Sequence, residues 1–128
     1  MGGFITITEK GSFKNTEKYL SHLSKLELTA VLNKYGEMGV NALSNATPAE
    51  SGRAASSWYY TTESRKGYYS IRWHNSDVED GFHVAVMLQY GHGTGTGGYV
   101  QGRDYIMPAM RPIFDQIAEE AWREVTKV

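Results

Sequence analysis

Residues 89–108, QYGHGTGTGGYVQGRDYIMP, hold Gly91, Gly93, Gly95, Gly97, Gly98 and Gly102, six of the fourteen glycines in a chain of 128 residues. Glycine at this density suits either a loop that cradles phosphate with its backbone amides or one that stays mobile until a partner orders it. A phosphate cradle needs a strand before the loop and a helix directly after it, so that unpaired amides and the helix dipole face the anion. Here YVQGRDY follows the glycines and reads as extended, no Gly-Lys precedes a Ser or Thr, and the glycine spacing does not fit a dinucleotide turn. The composition predicts a loop over about 91–102 that is mobile in the free protein.

Other residues with chemical potential are scattered. His22, His74, His83 and His92 contain no i, i+4 pair and have no carboxylate at motif spacing, so no metal site is expected. Ser56 or Ser57, His74 and Asp77 are the residue types of a hydrolytic triad, but no G-x-S-x-G elbow accompanies them. Glu119 and Glu120 are adjacent, point apart on a helix and read as a solvated face. Neither a catalytic centre nor a cofactor is expected.

Thirteen basic and fourteen acidic residues give a net charge of -1, without the concentrated basic face that nucleic-acid binding usually needs. The absence of cysteine excludes disulfides, thiolate nucleophiles and cysteine-ligated zinc. MGGFITITEKG has neither a basic leader nor the apolar core of a secretion signal, so a cytosolic site of synthesis is expected, and no run is long enough to span a bilayer.

The elements that must position these residues follow from periodicity. FITIT at 4–8 alternates as a short strand, and Asn15 is the expected N-cap of a short helix carrying Tyr19, Leu20 and Leu23. The phase breaks near Ser24 and Lys25. From Leu28, the positions Val31, Leu32, Tyr35, Met38, Ala42, Leu43 and Ala46 make one stripe of a helix of about five turns that ends before Pro48. Gly36 and Gly39 inside it cost about 1 kcal/mol each against alanine, so a close approach of another backbone is expected there. After a turn at Ser51-Gly52, residues 56–75 alternate as a hairpin linked by SRKG, and Asn75-Ser76-Asp77 supplies the next turn. HVAVMLQY, 83–90, is read as helix rather than buried strand. Pro108 and Pro112 bracket the start of a last helix with Ile113, Phe114, Ile117, Ala118, Ala121, Trp122 and Val125 on its apolar stripe. The expected fold is a single α+β domain over 1–128. In it a small antiparallel sheet, the aromatic hairpin plus one or two further strands, is packed by two main helices.

Helices can cover only one face of a two-stranded ribbon. If Trp58, Tyr60, Ile71 and Trp73 face them, Tyr59, Tyr68 and Arg72 are left outside, and exposed tyrosine with arginine is common in protein interfaces.

Three segments together, ATPAESGRAASSW (46–58), LQYGHG (88–93) with its glycine-rich continuation, and RDYIMPAMRPIFDQIAEE (103–120), resemble small neck proteins of long-tailed bacteriophages, the tail-completion, tail-terminator or head-tail joining proteins. The positions that carry the likeness are Ala46, Pro48, Ser51, Gly52, Tyr90, Gly91, Pro108 and Ala109, in order over about residues 14–125. The resemblance implies a non-enzymatic virion protein forming a ring, usually of six copies, at the neck between the DNA-filled head and the tail. Assembly in the host bacterial cytoplasm is implied with it. Its implied partners are its own copies and the tail tube protein, the head-completion protein or both, with DNA only passing through the lumen and no membrane involved. The residues expected to meet neighbours are Tyr59, Tyr68, Arg72, Tyr90, Gly91, His92, Gly93, Gly95, Gly97, Gly98, Tyr99, Arg103 and Tyr105, with Tyr105, Ile106 and Met107 anchoring the end of the loop. The competing reading is a monomeric protein-binding module that uses the aromatic hairpin.

Overall fold

A computed structural model describes residues 14–48, 52–65, 68–79, 82–93 and 97–126. The strand expected at 4–8 and the serine of the Ser51-Gly52 turn lie outside these residues, as does Gly95. Helix α1 spans Lys14–Ser21 and already contains Asn15, so Asn15 is not its N-cap. Helix α2, Lys25–Ala46, begins where the hydrophobic phase breaks. Ser24 and Glu27 cap it reciprocally: the Glu27 amide donates to Ser24 Oγ and the Ser24 amide to Glu27 Oε1, each at 3.2 Å. Hydrogen bonding from the Ser24 side chain, and then from the Ser24 amide, holds the Glu27 carboxyl below its usual range. At the other end Thr47 turns extended (φ -62°, ψ 132°), as a residue before proline must.

A four-residue helix, α3 (Gly52–Ala55), leads into strands β1 (Trp58–Arg65) and β2 (Tyr68–Asn75). These pair antiparallel from Trp58↔Asn75 to Arg65↔Tyr68, so each strand reaches the two-residue link at 66–67 and SRKG is shorter as a loop than expected. Short strands β3 (Val78–Glu79) and β4 (Phe82–His83) precede helix α4 (Val84–Tyr90), which bears out the helical reading of the apolar run. Strands β5 (Gly91–Gly93) and β6 (Tyr99–Gln101) pair across the glycine-rich loop, and α5 runs from Ile106 to Thr126. The fold is α+β with α2 and α5 as its main helices. The further strands form ladders of their own rather than extending the hairpin.

The core lies where α2, α5 and the proximal half of the hairpin meet, around Tyr35, Leu43, Trp58, Trp73, Met110 and Ile113. Gly36 and Gly39 admit aromatic rings rather than a backbone: a Cβ at Gly36 would collide with the Tyr60 ring, and one at Gly39 with the Trp73 indole. Trp73 is pinned there, its Nε1 donating to the Gly36 carbonyl at 3.0 Å while Phe114 of α5 meets it edge-on at 6.3 Å. Trp58 is held through Nε1 donating at 2.8 Å to Thr47 Oγ1, whose own proton goes to the Leu43 carbonyl at 2.6 Å.

Helix α5 starts two residues before Pro108 and carries Pro112 within it, so the prolines do not mark its start. Its first amides are capped from α4 instead. Gln89 Oε1 accepts from the backbone of Tyr105 at 2.9 Å and of Ile106 at 3.0 Å, while Gln89 Nε2 donates to Asp104 at 2.7 Å. The stripe read from the sequence is displaced. Met110 is fully buried, whereas Ala118 is exposed and Trp122 is 58% exposed. Glu120, expected to be solvated, ties three helices together by accepting from Lys34 Nζ at 3.2 Å and from the Tyr19 hydroxyl at 3.4 Å.

Candidate functional site

The β1–β2 hairpin is unevenly covered. Trp58 and Trp73 are buried against α2, but every residue from Thr61 to Arg65 is exposed, whichever face it points to. The outer half of the hairpin thus stands clear of the helices, with Tyr69 and Ile71 only half-buried on its inner face.

On the outer face, alternation and register bring four side chains together. Tyr59 stacks on His74 with ring centroids 4.9 Å apart, and His74 Nε2 lies 2.8 Å from Thr61 Oγ1. Arg72 stands directly opposite Thr61 and is exposed. Partial burial, then the Arg72 charge, depresses the His74 pKa, so the ring stays neutral near neutral pH. Sequence reasoning assigned Tyr59 and Arg72 to this face but missed His74 and Thr61. The signal was available: Tyr59 and His74 become direct partners once the link shrinks to two residues. The side chain of Tyr68 lies outside the described residues.

The glycine-rich segment makes a second exposed surface. Gly91 closes α4 at φ 82°, a conformation that favours glycine, and sends the chain into β5. Gly102 rests on the backbone of Gln89, Tyr90 and Gly91, where a Cβ has no room. Tyr90 and Tyr99 are 71% and 63% exposed, and the Tyr99 hydroxyl donates to the Tyr90 carbonyl at 3.0 Å. Gly93, Gly97, Gly98 and Arg103 are also exposed, with the Arg103 amide bound to the Leu88 carbonyl at 2.9 Å, while the His92 side chain lies outside the described residues.

Tyr105 belongs to the core rather than to an interface. It is 4% exposed, its hydroxyl donates to the Ala85 carbonyl at 2.9 Å, and burial pushes its pKa up to about 12. It anchors the end of the loop, but no neighbour can reach it. Conversely, Leu26 is 86% exposed at the start of α2 and Trp122 is exposed near the end of α5; neither stood among the expected interface positions.

The residue types of a triad are not assembled. Ser56 and Ser57 both direct their hydroxyls to the Arg53 carbonyl, at 3.1 and 2.6 Å, and His74 engages Thr61. Asp77 is buried, with Arg53 Nε 3.8 Å from its Oδ1, and Arg53 Nη1 also lies 3.7 Å from Glu79. Among the described residues no three His, Asp or Glu side chains gather as metal ligands, and no helix is long and apolar enough to cross a membrane. Comparison with protein-family models, with curated proteins and with solved structures gives no match.

Proposed function

We propose that this chain is a structural subunit that assembles as a ring, of about six copies, at the neck of a long-tailed bacteriophage. There it completes the tail and joins it to the DNA-filled head. The observation that carries this reading is the half-bare hairpin. A free monomer has no use for eight-residue strands whose outer half lies beyond its own core, and such surface is the kind that subunit contacts cover. The exposed Tyr90, Tyr99, Leu26 and Trp122 add apolar and aromatic area of the type enriched in interfaces. The resemblance in segment order to neck proteins supplies the location. A nearly neutral chain also suits a lumen through which DNA slides without sticking.

The test is electron microscopy of a lysate from a phage whose copy of this gene carries an early stop codon. Filled heads separated from tails, or tails of uncontrolled length, are the expected result. Intact infectious particles would remove the neck reading and favour a monomeric binding module centred on Tyr59, His74 and Arg72.

A further inference from the structure

The outer edges of the hairpin have a definite hydrogen-bonding phase. The Ser76 amide donates to the Ser57 carbonyl at 3.1 Å, which makes 57 and 76 a hydrogen-bonded pair of the same register that joins Trp58 to Asn75. Such pairs alternate along an antiparallel ladder, so Tyr59, Thr61, Glu63 and Arg65 spend their backbone groups on β2, and their partners His74, Arg72, Ser70 and Tyr68 spend theirs on β1. The backbone groups of Tyr60, Thr62 and Ser64 on β1, and of Tyr69, Ile71 and Trp73 on β2, therefore point outward. Among the described residues neither edge pairs with another strand. An unpaired edge of this length is a template for another chain.

The charges say which chain and in what register. Arg72 forms no ion pair among the described residues, and Glu63 is exposed on the same face of β1, its contact with Arg65 being a 3.2 Å pair between exposed side chains. In a ring, rotation keeps every hairpin in the same direction, so the outer edge of β2 in one copy meets the outer edge of β1 in the next as antiparallel neighbours. Placing the outward groups of Ile71 opposite Ser64, and of Trp73 opposite Thr62, puts Arg72 directly opposite Glu63 in a close, non-hydrogen-bonded pair. It also sets His74 opposite Thr61, repeating a contact already made within each chain. A slip of two residues one way sets Arg72 against Arg65; the other way it sets Arg72 against Thr61 and leaves the ion pair diagonal. We propose that copies of this chain join edge to edge through β2 and the next β1, in the register that pairs Arg72 with Glu63, making one continuous antiparallel sheet around the ring.

This inference rests on the ring reading, and the native absence of cysteine makes it directly testable. Protein carrying only Glu63→Cys is mixed with protein carrying only Arg72→Cys and oxidised, so that the heterologous disulfide can form only between chains. The expected result is a linked pair in far higher yield than from Arg65→Cys mixed with Arg72→Cys, the slipped register. Thr62→Pro removes one outward amide and no bond of the internal ladder; it should abolish association while circular dichroism stays unchanged. Glu63→Arg should do the same, and adding Arg72→Glu should restore assembly. Rings that lack the disulfide between positions 63 and 72, or equal yield in both registers, overturn the pairing and leave the ring reading standing. A closed two-chain species carrying that disulfide upholds the pairing and removes the ring. A disulfide within one chain between Arg72→Cys and Thr6→Cys, with none across chains, hands the edge to residues 4–8 and overturns the inference.

Discussion

Gly39 and Gly36 show how one missing methyl group decides the packing of an aromatic hairpin. Alanine gains about 1 kcal/mol over glycine inside a helix, yet overpacking a core typically costs about 1–3 kcal/mol. At Gly39 the opposing Trp73 is 2% exposed and held by its bond to the Gly36 carbonyl, so it cannot retreat. Gly39→Ala is expected to lose about 1–2 kcal/mol net in urea unfolding. Gly36→Ala should lose less, because Tyr60 is only half-buried and is tethered by an exposed bond to Asn33 at 3.1 Å. Tyr105 sets a pH limit. Its pKa rises from 10.0 to about 12 because burial disfavours the phenolate. The unfolded chain therefore releases this proton first, so the stabilisation is complete below pH 10.0 and is lost as pH rises through about 12. The loss is on the order of 2–3 kcal/mol, a tenfold change in proton affinity being worth about 1.4 kcal/mol. Unfolding measured across that alkaline window should show the corresponding part of the slope disappear in Tyr105→Phe.

At the scale of elements, helix α5 depends on a side chain from another helix. Gln89 caps two of its first amides and ties down Asp104, and it sits one residue before the exposed Tyr90. Gln89→Ala is expected to cost about 1–2 kcal/mol, the usual loss for a helix cap with a second bond attached. Gln89→Glu keeps the accepting oxygen and should recover part of it; thermal unfolding of the three proteins measures the ranking. Amide exchange at Tyr105 and Ile106 should quicken in Gln89→Ala, which separates a lost cap from general destabilisation. This cap was not legible in the sequence. Prolines at 108 and 112 mark residues tolerated in early helical turns, but a cap borrowed from 17 residues earlier in the chain exists only once α4 and α5 are adjacent. By contrast, the capping box at Ser24 and Glu27 is a local S-x-x-E pattern beside the phase break, although the apolar stripe alone placed the start of the helix near Leu28, one turn late.

For the whole molecule, the surface left uncovered matters more than the core. Leu26 and Tyr90 are 86% and 71% exposed and contribute little to the monomer, so Leu26→Ala and Tyr90→Ala should each change stability by less than about 0.5 kcal/mol. Interfaces concentrate their energy in a few residues, with losses of about 1–4 kcal/mol on truncation. Either variant that lies at a subunit or tail contact should therefore fold normally yet fail to complement the stop-codon phage in a plaque assay. Normal complementation by both would remove Leu26 and Tyr90 from the contacts.

By itself the sequence determined the class of fold, the apolar stripe of α2 and its end before Pro48, the hairpin within 56–75 and the split of Tyr59 and Arg72 from Trp58 and Trp73. Each of these rests on periodicity or on a local stop signal, and neither needs knowledge of distant residues. Tertiary structure alone decided that Tyr105 is core, that Trp122 and Leu26 are exposed, that Glu120 joins three helices and that aromatic rings fill the space over Gly36 and Gly39. An apolar stripe states which side of a helix prefers burial, but how much of that side is covered depends on where its neighbours end. In this chain the helices cover the hairpin around Trp58, Tyr60 and Trp73 and leave Thr61 to Arg65 exposed, and that uneven cover creates the surface on which the proposed assembly rests.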